Sequence, residues 1–146
     1  MSYKNQDSMK YIFVFILLFI TLNTQAQSMN MDWVSDKNYN EKIHEKSPFG
    51  DDKSSIVIIE FWAKFNDANA FQEFKQLKNV THYYRCDISS NSELKKKYRV
   101  RMAPTILIFV NGVLEEDFRA GLDLECPVNL PELQEAIEEA RLSSQF

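Results

Sequence analysis

Ile56–Ala70 reads IVIIEFWAKFNDANA, and the order of side chains in it sets the architecture. Ile56-Val57-Ile58-Ile59 is an apolar run almost entirely β-branched and too short for a buried helix. Such a run marks a strand covered on both faces, as in an α/β sheet. Phe61-Trp62-Ala63-Lys64-Phe65 follows, and then the polar group Asn66-Asp67-Ala68-Asn69. Phe71, Phe74 and Leu77 recur three apart beyond it, the spacing of one helical face. The stretch therefore predicts a buried strand running into an amphipathic helix over 67–78, with Asn66 or Asp67 as its N-cap.

A second stretch works with the first. Val100–Gly112 reads VRMAPTILIFVNG, and Thr105–Val110 predicts another continuous buried strand. Asn111-Gly112 is a strong hairpin signal, a type I′ turn, so Val113–Arg119 is expected to return antiparallel. Pro104 stands directly before this strand, where it cannot donate to a ladder. Prolines in tight turns are where cis peptide bonds concentrate.

The two stretches together resemble thioredoxin. In that family the strand ends in Phe-Trp-Ala-x-Trp, followed at once by Cys-x-x-Cys at the start of a helix. Here Phe61, Trp62, Ala63 and the aromatic Phe65 match, whereas Asn66 and Asn69 occupy the two cysteine positions. Arg101-Met102-Ala103-Pro104-Thr105 is similar to the family's cis-proline loop. The resemblance covers about residues 31–141 and implies an α/β thioredoxin fold, a central mixed β-sheet with helices on both faces. Against the family pattern, the helix after Phe65 is about a turn and a half short, and the loop Gly121–Val128 is long. Both flank the surface where the family binds substrate.

The rest of the chain fits that order. Met31–Val34 predicts a short first strand, and Ser35 or Asp36 then caps a helix to about Lys46 with Tyr39 and Ile43 inward. Pro48–Asp52 makes a loop before the central strand. His82–Asp87 reads as a strand, and Asn91 or Ser92 opens a helix to Tyr98 that buries Leu94 and Tyr98. Asn129 and Glu132 form a capping box for a last helix whose Leu130, Leu133, Ile137 and Ala140 share a face.

The N-terminus carries a different signal. Lys10 precedes the apolar run Tyr11–Ile20, and Thr24-Gln25-Ala26 supplies small residues before a cut. This is the pattern of a secretory signal peptide over 1–26, cleaved between Ala26 and Gln27. The run is about half the roughly 20 apolar residues a membrane span needs. No cysteine follows it to carry lipid, so no membrane anchor is expected after cleavage. Met9-Lys10 would itself make a typical signal-peptide start. The expected mature domain is 27–146, periplasmic or secreted. It retains 15 basic and 20 acidic side chains, a net charge of −5. A mildly acidic chain without a basic stripe argues against nucleic acid as a partner.

The chemistry is then read position by position. Disulfide exchange needs a thiolate at a helix N-terminus and a second cysteine one turn on. Amides at 66 and 69 can neither attack sulfur nor form a mixed disulfide, so a dithiol mechanism is excluded. Asn66 is read as a helix cap or, alternatively, as part of a ligand site. The resemblance places Glu60 where the family has a buried carboxylate and Arg85 where its basic partner sits. A buried, paired Glu60–Arg85 is expected as a structural remnant. The family also pairs extended peptides with the backbone before its proline, a β-augmentation mode. That makes Phe65, Asn66, Ala103 and Pro104 the candidate peptide-binding residues.

Cys86 and Cys126 remain. A disulfide needs Cα atoms within about 7 Å, which an inner-strand Cys86 and a Cys126 beyond the edge hairpin do not meet. Cys86 is read as a small hydrophobe and Cys126 as the candidate reactive thiol. His44 and His82 lack a second ligand at metal spacing, so neither metal nor cofactor is expected. Two functions follow. The chain is either a redox-inactive exported module that binds extended segments of client proteins in the cell envelope, or a thiol enzyme acting through Cys126 alone.

Overall fold

The computed structural model describes residues 29–46 and 54–144. The expected signal peptide, its cleavage site and the Pro48–Asp52 loop lie outside them. Five strands form one mixed sheet: β1 (Met31–Trp33), β2 (Ile56–Trp62), β3 (His82–Asp87), β4 (Thr105–Val110) and β5 (Val113–Arg119), in the spatial order β1-β3-β2-β4-β5. β3 runs parallel to both β1 and β2, while β4 runs antiparallel to β2 and β5 antiparallel to β4. The helices are α1 (Tyr39–Lys42), α2 (Ser92–Lys97) and α3 (Leu130–Ser143).

β2 takes the centre of the sheet between β3 and β4, and all three bury side chains on both faces. Every residue of β4 and all of β2 up to Phe61 is buried. Strand alternation sends their side chains into two separate cores. Ile56, Ile58, Tyr83, Ile106 and Ile108 pack with Phe71, Leu77 and the inner face of α3. Val57, Ile59, Phe61, Tyr84, Cys86, Leu107 and Phe109 pack on the opposite side with Ile43, Leu94 and Val100. The hairpin follows its turn signal: Asn111 and Gly112 have φ of 51° and 84°. The positive φ at Gly112 favours glycine there, and a Cβ would also displace the exposed His44 ring, which lies 2.4 Å from its position. β5 is an edge strand and keeps its edge charged with Glu115, Glu116 and Asp117. α3 opens with the expected capping box, the Asn129 side chain accepting from the Glu132 N–H and the Glu132 carboxylate accepting from the Asn129 N–H.

Two expected helices differ. The first spans only four residues, Tyr39–Lys42, and does not reach Lys46. Of its two expected caps, Ser35 and Asp36, Asp36 works elsewhere: its carboxylate accepts from the backbone N–H of Glu93 and Leu94 and so caps α2. The larger correction is the helix over 67–78, which does not form. Two 3-10 segments stand in its place, Lys64–Asn69, kinked at Asn66, and Phe74–Gln76. Phe71, Phe74 and Leu77 nonetheless reach the core they were expected to reach. The reason for the lost helix lies in the site.

Candidate functional site

Asn66 does not cap a helix. Its Nδ2 donates to the carbonyl of Ala103 at 2.9 Å and to the carbonyl of Leu124 at 2.8 Å. Asn69 Nδ2 donates in turn to Asn66 Oδ1 at 2.9 Å. The two amides at the expected cysteine positions thus form a bridge from the Lys64–Asn69 segment to the Pro104 loop and to the Gly121–Val128 loop. Asp67, the other expected cap, accepts from the Trp62 indole N–H at 2.6 Å. The Phe71 N–H, which a helix would bond to a backbone carbonyl, donates to Glu60 Oε1 at 2.7 Å. Asn and Asp side chains compete with helical bonding when other partners are near. Here the partners are tertiary, so they outweigh the apolar spacing of the segment.

Glu60 is fully buried and lies opposite Arg85 in the β2–β3 register. Arg85 Nε donates to Glu60 Oε2 at 2.8 Å, and the Tyr83 hydroxyl donates to the same oxygen at 3.0 Å. Both carboxylate oxygens are therefore satisfied, the arrangement a buried charge requires. Burial and the adjacent Glu60 charge raise the Tyr83 hydroxyl pKa well above its ordinary value, which keeps the hydroxyl a donor. Tyr83 was not among the expected site residues, although its same-face position two before Arg85 is a legible signal.

The Pro104 loop faces this bridge. The Ala103–Pro104 peptide is cis, Ala103 is buried and its carbonyl points to Asn66. Thr105 Oγ1 donates to the Met102 carbonyl at 2.8 Å and closes the loop from below. Phe65, by contrast, is 76% exposed, and Trp33 is 46% exposed with its ring edge-on to Trp62 at 5.3 Å. An apolar ring, that of Phe65, thus stands in solvent next to Asn66.

The cysteines are both free. Cys86 lies in the core, and burial pushes its thiol up to about 12. Cys126 is half-buried beside Phe71 and Val128, on a cavity of about 420 Å³. Burial raises its thiol pKa, the backbone contact at Val128 offsets part of that rise, and the carboxylates of Glu60 and Glu73 add to it. Its Sγ donates to the Val128 carbonyl at 3.3 Å. The structure thus brings Phe65, Asn66, Asn69, Ala103 and Pro104 into one neighbourhood, but Ala103 and Pro104 are buried within it and only Phe65 is well exposed. Cys126 bonds instead within its own loop. His44 Nδ1 lies 2.7 Å from the Asn40 carbonyl, and His82 Nε2 lies 3.1 Å from Glu45 Oε2. Among the described residues no group of three His, Cys, Asp or Glu is placed to hold a metal ion.

The sequence profile of the family described as Thioredoxin matches residues 30–126. The chain belongs to the thioredoxin family. A thioredoxin of Rickettsia bellii is 28% identical over 96 residues, which span 61% of this chain and 83% of that one. Solved thioredoxins share the fold at lower identity. One, a variant from Halobacterium salinarum, matches with a TM-score of 0.58 at 15% identity, over 82% of this chain and 96% of its own. The thioredoxin of Schistosoma mansoni matches at 0.57 and 16% identity, over 77% and 95%. Within this thioredoxin-family chain, the strand β2, the Pro104 loop and the buried Glu60 surround two amides where disulfide exchange would need two thiols.

Proposed function

We propose that this protein is an exported, redox-inactive member of the thioredoxin family that binds extended segments of client proteins in the cell envelope. One observation carries the reading. Asn66 and Asn69 are hydrogen-bonded to each other, and Asn66 to the Pro104 loop, next to the exposed Phe65. An amide has no route to a thiolate, whereas an exposed aromatic ring suits an apolar side chain of a strand-like guest. The acidic balance of the mature chain speaks against nucleic acid as the partner. Export rests on the Lys10–Ala26 pattern.

Cys126 offers the competing reading, a single-thiol enzyme. Its raised thiol pKa disfavours the thiolate at neutral pH, so the binding role is preferred. A photo-crosslinking aromatic residue in place of Phe65 tests the proposal in the cell envelope. The binding role predicts discrete crosslinked client proteins that are absent when the same group replaces exposed Glu135 on α3. Equal crosslinking from both positions overturns it.

A further inference from the structure

The chain is acidic overall, with a net charge of −4, yet Lys95, Lys96, Lys97, Arg99 and Arg101 fall within seven residues that contain no acid. The last two open onto a cavity of about 510 Å³ with Arg119. Arg119 is committed: it pairs with Asp117 and donates to the carbonyls of Arg99 and Tyr98, both at 3.1 Å. It therefore holds the backbone of Arg99, which sits at a φ of 52°, in place. Arg99 and Arg101 are exposed, and among the described residues neither guanidinium has a carboxylate within 4.0 Å. Two cations held beside a third without counter-charges are a ready receptor for carboxylates.

The rest of the cavity narrows the choice of ligand. Apart from Thr105 and Gly121, its other walls are apolar: Met102, Ala120 and Leu122, the last 90% exposed. It is also continuous with the Pro104 loop. Met102 and Thr105 flank Ala103–Pro104, and the Ala120 N–H donates to the Pro104 carbonyl at 3.0 Å. A small inorganic anion would use the arginines and leave the apolar wall in water. A chain with carboxylates on one face and apolar side chains on the other would use both.

Resting on the segment-binding reading above, we propose that the Arg99–Arg101–Leu122 cavity selects acidic clients: extended protein segments in which Asp or Glu alternates with apolar residues. Asp or Glu of the guest docks on Arg99 and Arg101 while its neighbours lie on Met102 and Leu122. The guest backbone continues towards Ala103.

Fluorescence anisotropy with three short labelled peptides tests this: one alternating Glu and Val, one with Gln for Glu, and one with Lys for Glu. The Glu peptide should bind at least about tenfold more tightly than the Gln peptide, and the preference should shrink at high salt. Arg99→Gln with Arg101→Gln should remove the preference. Arg101→Gln alone, at an exposed position of ordinary backbone, should remove part of it and so answers for a double variant that folds poorly. Equal binding of the Glu and Gln peptides, unchanged by either variant, overturns acid selection and leaves segment binding standing. Competition of the Glu peptide by millimolar phosphate, with no loss on Leu122→Ser, shows a simple anion site and overturns the proposal. Failure of all three peptides to bind overturns both readings.

Discussion

Replacing Arg85 with Leu removes the cation that faces a fully buried carboxylate while keeping an apolar side chain in its place; the guanidinium contact over the Phe74 ring goes with it. Glu60 accepts three hydrogen bonds, from Arg85 Nε at 2.8 Å, the Tyr83 hydroxyl at 3.0 Å and the Phe71 N–H at 2.7 Å. Only the first comes from a charge. Without it the carboxylate keeps two neutral donors in an apolar layer of Ile58, Ile106 and Phe71. Stranding a buried charge in this way costs about 3–5 kcal/mol. The double variant Glu60→Gln/Arg85→Leu should recover much of that loss, because the Gln oxygen still accepts from the Phe71 N–H and no charge remains buried. Urea unfolding followed by circular dichroism measures each difference at constant slope. Arg141→Ala is the surface control. Its guanidinium pairs with Glu138 at 2.9 Å but is about one-third exposed, so its loss should cost no more than about 1 kcal/mol. A cost for Arg85→Leu no larger than that of Arg141→Ala refutes the reasoning. So does a double variant less stable than the single.

Three shorter expectations accompany it. Burial alone raises the Glu45 pKa, but the hydrogen bonds from Lys42 and Tyr84 and the charge of His82 outweigh it and hold the carboxyl below its ordinary 4.5. A depressed pKa stabilises the fold above the unfolded value and loses that contribution as pH falls through the folded one. Glu45→Gln should therefore destabilise by about 0.5–1 kcal/mol at neutral pH and by almost nothing near about pH 3; a constant difference across that range contradicts the shift. Cys126, its thiol raised by burial, should alkylate with iodoacetamide more slowly at neutral pH than a free cysteine does, and Cys86 should not react until the protein is denatured. Mass spectrometry of the exported protein should find Gln27, or its pyroglutamate, at the N-terminus; recovery with Tyr11–Ile20 still attached, in membranes, contradicts cleavage.

What the sequence discloses and what it hides divide along a physical line. β2, β4 and the Asn111-Gly112 turn are legible because continuous β-branched burial and a two-residue φ > 0 turn are local signals. The capping box of α3 is equally local. Period-2 alternation alone puts Glu60 with Ile56 and Ile58 on one face, which is where it stands against Arg85. The 67–78 segment is different. Its apolar spacing is helical, but its backbone and cap residues are claimed by Glu60, Ala103, Leu124 and Trp62, partners up to 58 residues away. Asp36 likewise reads as the cap of the helix that follows it and instead caps α2 from 57 residues away. Arg119 reads as the end of an edge strand, and its hold on the Tyr98 and Arg99 carbonyls depends on the fold. Local periodicity thus locates the core residues, and tertiary hydrogen bonds decide the backbone between them.

We propose that the thioredoxin fold persists here without its sulfur chemistry. The most direct measurement is reduction of a protein disulfide substrate by the wild-type protein with dithiothreitol as electron source. With amides at 66 and 69 and a buried-shifted thiol at 126, the rate should equal that of dithiothreitol alone. A clear rate above that background, lost on Cys126→Ser, would contradict the account and make the protein a single-thiol enzyme.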